Sequence, residues 1–132
     1  MVHISFWQDR FVLELTPEEK FFYLYLLTNS KTKQCGIYEL PKKVVEFETG
    51  YNGETVDKLI KRFEEYGKVE YCSETKEIFI KNWIKYNSMN SSKVQICIAN
   101  ELKDVKNERF ISMFFQLIAA YGYDIDSLSI DY

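Results

Sequence analysis

Apolar positions along the chain switch between a helical spacing and an alternating one, and each switch marks a boundary. Thr16 followed by Pro17, Glu18 and Glu19 is a helix start: the hydroxyl caps free amides, proline suits the first turn and the acids match the helix dipole. This first helix is expected to run to about Thr28. Its Phe21, Phe22, Leu24, Tyr25, Leu26 and Leu27 are apolar nearly all round, so it needs cover on more than one side, part of it from "ISFW" and "FVLEL" upstream. After a polar loop, "CGIYELP" predicts a short extended piece leading into a second helix, with Pro41 in its first turn, Gly50 just past its end, and Leu40, Val44 and Phe47 on one face.

Asn52 can cap a third helix in which Val56, Leu59, Ile60 and Phe63 fall at i, i+3, i+4 and i+7, and Gly67 stops it. Lys68 to Cys72 and Glu77 to Trp83 are rich in Val, Tyr, Ile and Phe and flank the polar turn Ser73-Glu74-Thr75-Lys76, which predicts a β-hairpin. Val94, Cys97, Ile98 and Leu102 mark a fourth helix, and Asn107 to Tyr121 a fifth, with Phe110, Phe114, Leu117, Ile118 and Tyr121 on one face. The expected fold class is α+β, mainly α. Three helices and a hairpin, with a short strand before the second helix, form a winged helix-turn-helix, here with additional C-terminal helices. Residues 1–121 are expected to form this domain, and 122–132 a tail or the start of a linker to a domain not present.

With 132 residues, 46% apolar and 17% aromatic, the chain can build one substantial core. Cys35, Cys72 and Cys97 are odd in number and form no CxxC pair, so they predict buried thiols in a reducing cytoplasm, with no disulfide frame and no metal site. The longest apolar run, Phe21 to Leu27, is too short to span a bilayer, and no membrane association is expected. The only histidine is His3, no glycine-rich phosphate loop precedes a helix and no nucleophile has a visible base partner, so neither an enzyme nor a cofactor is expected.

The third helix would be the recognition helix of such a fold. Asn52, Thr55, Lys58, Lys61 and Arg62 on it, with Lys42 and Lys43 of the second helix, are the candidate contacts to phosphates or base edges of duplex DNA. Yet from Glu54 to Lys68 four acids oppose four cations, and the net charge of the whole chain is −3. Protein contact is the stronger expectation. Phe6, Trp7 and Phe11 in the N-terminal segment are candidate aromatic anchors, with Ile37 and Tyr38 in the first strand and Ile96, Ile111 and Phe115 in the last two helices. Phe11 is also a candidate for simply covering the first helix.

"FWQDRFVLELTPEEKFFYLYLLTN", "CGIYELPKKVVEFETGYNGETVDKLIKRFEEYGKV" and "IFIKNWIKYNSMN" together resemble the N-terminal domain of DnaD-like replication initiation proteins. More narrowly, they resemble the replisome organisers of Gram-positive bacteria, their phages and prophages. The resemblance covers about residues 4 to 121. Its most distinctive pieces are Cys35-Gly36-Ile37-Tyr38 leading into Leu40-Pro41, and Lys81-Asn82-Trp83 with Lys85-Tyr86-Asn87. It implies a winged-helix module that forms homo-oligomers and contacts other replication proteins, an initiator, a helicase or its loader, at an origin. In DnaD-like proteins a separate C-terminal domain supplies much of the DNA binding, and nothing like it fits after residue 121. The phage members can bind origin DNA through the N-terminal domain, which keeps double-stranded DNA as the alternative partner.

Overall fold

The computed structural model describes residues 4–123. His3, the expected tail from Asp124 onward and any linker role for it lie outside the described residues. The fold is α+β and mainly helical. Two single-turn helices, α1 (Ser5–Gln8) and α2 (Arg10–Leu13), form an N-terminal hook ahead of α3 (Pro17–Thr28). The start of α3 is a full capping box: the Thr16 hydroxyl accepts from the Glu19 N–H at 3.2 Å, and Glu19 Oε1 accepts from the Thr16 N–H at 2.8 Å.

Strand β1 (Ile37–Glu39) leads into α4 (Lys42–Thr49) and α5 (Gly53–Glu65), followed by β2 (Val69–Cys72) and β3 (Glu77–Ile80). Gly50, at φ 81°, closes α4 in the left-handed conformation that glycine adopts without a Cβ clash. Asn52 caps α5 by accepting from the Thr55 N–H at 2.9 Å. The strands form an antiparallel sheet in the order β1-β3-β2, with Tyr38 opposite Ile78 and Tyr71 opposite Ile78 from the other side. The hairpin is shorter than expected. After Ile80 the chain turns into α6 (Trp83–Tyr86), because Trp83 and Tyr86 are drawn into the core instead of continuing the ladder. Two longer helices, α7 (Ser92–Leu102) and α8 (Glu108–Ala120), are the last elements among the described residues.

The sheet has a core on each face. Tyr38, Leu40, Ile78 and Ile80 point to the first, with α3, α4, α5 and the hook; Ile37 and Phe79 point to the second, with α7 and α8. This explains why all four residues of β3 are buried and why its sequence shows no polar alternation. Gly36 sits where a Cβ would lie 2.7 Å from the Trp83 Cβ, at φ 77°, so no other residue fits beneath that indole without displacing it.

Three expectations change. Phe47 does not share the buried face of α4. Val45 is buried instead, Val44 is half-buried and Phe47 is 90% exposed, because α4 turns its Val45 side onto the core. Of the three cysteines only Cys35 is buried; Cys72 ends β2 half-exposed and Cys97 lies on the outer side of α7. On α8, Phe110, Phe114 and Ile118 are buried, whereas Tyr121 is exposed beyond the helix end.

Candidate functional site

The outer face of α5 is where sequence places DNA contacts, and its geometry follows from the inner face. Val56, Leu59, Ile60 and Phe63 are buried against the first core, so the intervening charged residues point outward. They are largely engaged with one another. Lys42 Nζ lies 2.6 Å from Asp57 Oδ1, which ties α4 to α5. Lys58 Nζ lies 3.6 Å from Glu54 Oε1 one turn earlier, and Arg62 Nη1 lies 3.6 Å from Glu19 Oε2 on α3. Glu64 Oε2 accepts the backbone N–H of Tyr71 at 3.1 Å, holding the edge of β2. The Asn52 carboxamide oxygen is occupied as a cap, and the Thr55 N–H is the group it accepts from. Among the described residues, only Lys43 and Lys61 of the seven candidates are without a carboxylate or capping partner.

Glu19 makes the Arg62 pair different from the others. Its carboxylate is buried and also accepts from the Tyr66 hydroxyl at 2.6 Å. Burial alone pushes this carboxyl up. The hydrogen bonds from Tyr66 and Thr16 and the Arg62 charge outweigh that, so its pKa sits below the ordinary value. The Lys58 pair is far more exposed and contributes at most about 1 kcal/mol, which a phosphate could replace.

The aromatic anchors divide sharply. Phe6 is fully buried, its ring centroid 5.9 Å from those of both Tyr23 and Tyr86, and Ile37 and Tyr38 are buried on opposite faces of the sheet. The Tyr38 hydroxyl donates to the Leu26 carbonyl at 2.6 Å. These three are core residues and offer no contact surface, because the hook and the sheet need their apolar mass to close the two cores. Phe11 covers the first core, edge-on to Tyr23, Phe63 and Tyr66 at 5.5, 6.0 and 5.6 Å, with Lys68 Nζ 4.6 Å from its ring centroid. Trp7 is 54% exposed and Ile96 63% exposed, while Ile111 and Phe115 are half-buried along α8.

Sequence reasoning missed the hook's anchor. Asp9 is buried and accepts from the Phe11 N–H at 2.8 Å and the Tyr86 hydroxyl at 2.5 Å, with Lys85 Nζ 2.8 Å away. Burial raises its pKa, but the bonds from Lys85, Tyr86 and Phe11 overcome this and hold it below the ordinary value. The only local signal is Asp9 ahead of Arg10-Phe11-Val12, a capping residue before a helical turn. Its real partners lie 76 and 77 residues further on. The hook so fixed presents Ile4, Trp7 and Leu13 to solvent.

The chain matches no protein-family profile, no curated protein and no solved structure. No helix among the described residues is long and apolar enough to cross a membrane.

Proposed function

We propose that this chain is an interaction and self-association module of a DnaD-like replication initiation protein, a winged helix whose surfaces serve protein contacts more than sequence reading. The observation that carries the reading is a contrast of surfaces. On α5, Lys58 and Arg62 are tied to Glu54 and Glu19, and Lys42 of α4 is tied to Asp57, while a hook locked by Asp9 holds Ile4, Trp7 and Leu13 in the open. Apolar side chains held in the open on a rigid support suit an interface core, and a helix whose cations are mostly paired has less of the counterion-release term that drives DNA binding. The order α3, α4, α5, β2, β3 and the antiparallel position of β1 support the winged-helix assignment. The resemblance of residues 4–121 supports replication as the setting and another replication protein as the partner.

Light scattering on this chain as a function of concentration tests the reading. A dimer or larger species that becomes a monomer when Ile4→Glu is combined with Trp7→Glu is the expected result. A chain that stays monomeric throughout, and binds duplex DNA tightly with a steep salt dependence, would overturn it. The second reading, duplex DNA bound through α5, is favoured by Lys43 and Lys61, which stay unpaired among the described residues. Its variant is best chosen as Lys58→Glu with Lys61→Glu. Arg62→Glu would set a second carboxylate against buried Glu19 and confuse binding with folding.

A further inference from the structure

We propose that the notch between the start of α4 and the β2–β3 turn, with Phe47 beyond it, is a binding site for single-stranded nucleic acid. The notch has a volume of about 240 Å³ and is lined by Pro41, Lys42, Lys43, Tyr71, Ser73 and Lys76. Its floor is apolar and its rim is cationic. The Leu40 N–H donates to the Lys76 carbonyl at 2.8 Å, and the Tyr71 hydroxyl donates to the Leu40 carbonyl at 3.0 Å. These two bonds fix the turn against the entry to α4, so the notch keeps its shape without a ligand.

Three lysines and no acid line it. Lys42 is committed to Asp57 and lies 5.0 Å from the Tyr71 ring centroid. Lys43 and Lys76 are exposed, and neither is in an ion pair among the described residues. Of the acids outside the lining, one is paired with a lysine and two are turned to other groups. Glu39 pairs with Lys106 at 3.8 Å, Glu74 Oε2 accepts from the Cys72 thiol at 3.8 Å, and the Glu46 carboxylate lies over Gly53 at the start of α5. The first turn of α4 contains no acid.

Phe47 supplies the second half of the site. It is 90% exposed, one helical turn beyond Lys43, on the same face of α4. A phosphate held between Lys43 and Lys76 leaves the adjoining base about one 5.4 Å turn away, next to that ring. Stacking of unpaired bases on exposed aromatic rings beside a cationic groove is how sequence-tolerant single-strand binding works. A duplex keeps its base faces stacked and cannot use Phe47.

Fluorescence anisotropy of fluorescein-labelled dT12, titrated with this chain over a range of salt and compared with a 12-base-pair duplex, tests the site. The expected result is tighter binding of dT12 than of duplex, with a salt slope of about −1.4 for two phosphates. Lys43→Glu with Lys76→Glu should weaken dT12 binding at least tenfold. Phe47→Ala, at a fully solvated ring, should keep the melting temperature and weaken binding about fivefold or more, as the loss of one stacked base requires. The charge-matched control, Lys93→Glu with Lys103→Glu on and after α7, should stay within twofold. Duplex bound as well as dT12, no dT12 binding at low salt, an unchanged Phe47→Ala variant, or a control that weakens equally would each overturn the proposal. The oligomer measurement above is independent of all four.

Discussion

The two faces of the sheet carry cores of different kinds. The first is aromatic: Phe63 stacks on Tyr23 with centroids 5.2 Å apart and lies within 6.0 Å of Phe11 and Phe22, and buried carboxylates seal its rim at Asp9 and Glu19. The second is mostly aliphatic, with Ile37, Met89, Ile98, Leu102 and Ile118 around Phe79, Phe110 and Phe114, and with half-buried Val94, Met113, Phe115 and Leu117 along its edge. The difference teaches where rigidity is needed. Rings locked edge to face and polar bonds to charged groups fix the relative placement of the hook, α3 and α5, whereas the layer of α7 and α8 rests mainly on shape and area.

Phe63→Ala should therefore be the most damaging change, costing about 3–5 kcal/mol in denaturant unfolding, because four rings lose their central partner at once. Phe114→Ala should cost nearer about 3 kcal/mol, since half-exposed Met113 and Phe115 can partly close the space. Native-state hydrogen exchange should show α7 and α8 opening before α5 in that variant. Equal opening of all helices would mean that the two layers unfold as one.

A smaller effect tests the link between the layers. Glu77, buried in β3, accepts the N–H groups of Lys106 and Asn107, both at 2.9 Å, just ahead of α8. Glu77→Ala leaves both donors without a partner and should cost about 1–3 kcal/mol, read as a drop in melting temperature. Glu77→Gln should restore part of it, because a carboxamide oxygen still accepts one bond.

The carboxylates of the first core predict its acid response. Asp9 and Glu19 have folded pKa values below their ordinary 3.8 and 4.5. Their contribution is thus fully present above those values and is lost as pH falls through the lower folded ones. An acid titration of unfolding free energy should fall from about pH 4.5 downward, and Asp9→Asn should flatten that limb while lowering stability at pH 7. An unchanged acid limb in Asp9→Asn would show that Asp9 is not what ties the hook to α6.

The mildest probe is alkylation of the thiols by iodoacetamide at pH 8, followed by mass spectrometry. Cys72, half-exposed at the end of β2, should react first, since the neighbouring Thr75 lowers its pKa. Cys97, though exposed on α7, should follow, because slight desolvation and neighbouring Glu101 raise its pKa. Cys35, whose thiol burial pushes up to about 12, should react only on unfolding. Early labelling of Cys35 would show the second layer opening on its own.

Much of the fold is legible in the sequence. The starts of α3 at Thr16, α5 at Asn52 and α8 at Asn107 appear in the structure as side-chain caps, and the buried face of α5 is the one its spacing announced. The candidate sites were less legible. Phe6 and Tyr38 looked like anchors because exposed and buried aromatics share one composition. Phe47 looked buried because α4, with eight residues, has too few turns to fix its own orientation.

What the sequence determined by itself is local: caps, stops and apolar periods act over three or four residues, within the reach of one backbone turn. The tertiary structure alone decided that Arg62 meets Glu19 and Lys42 meets Asp57, that Asp9 holds Tyr86, and that Phe47 and Lys43 stay unpartnered on α4 among the described residues. Charges and rings act through space, and which of them meet depends on how the helices pack.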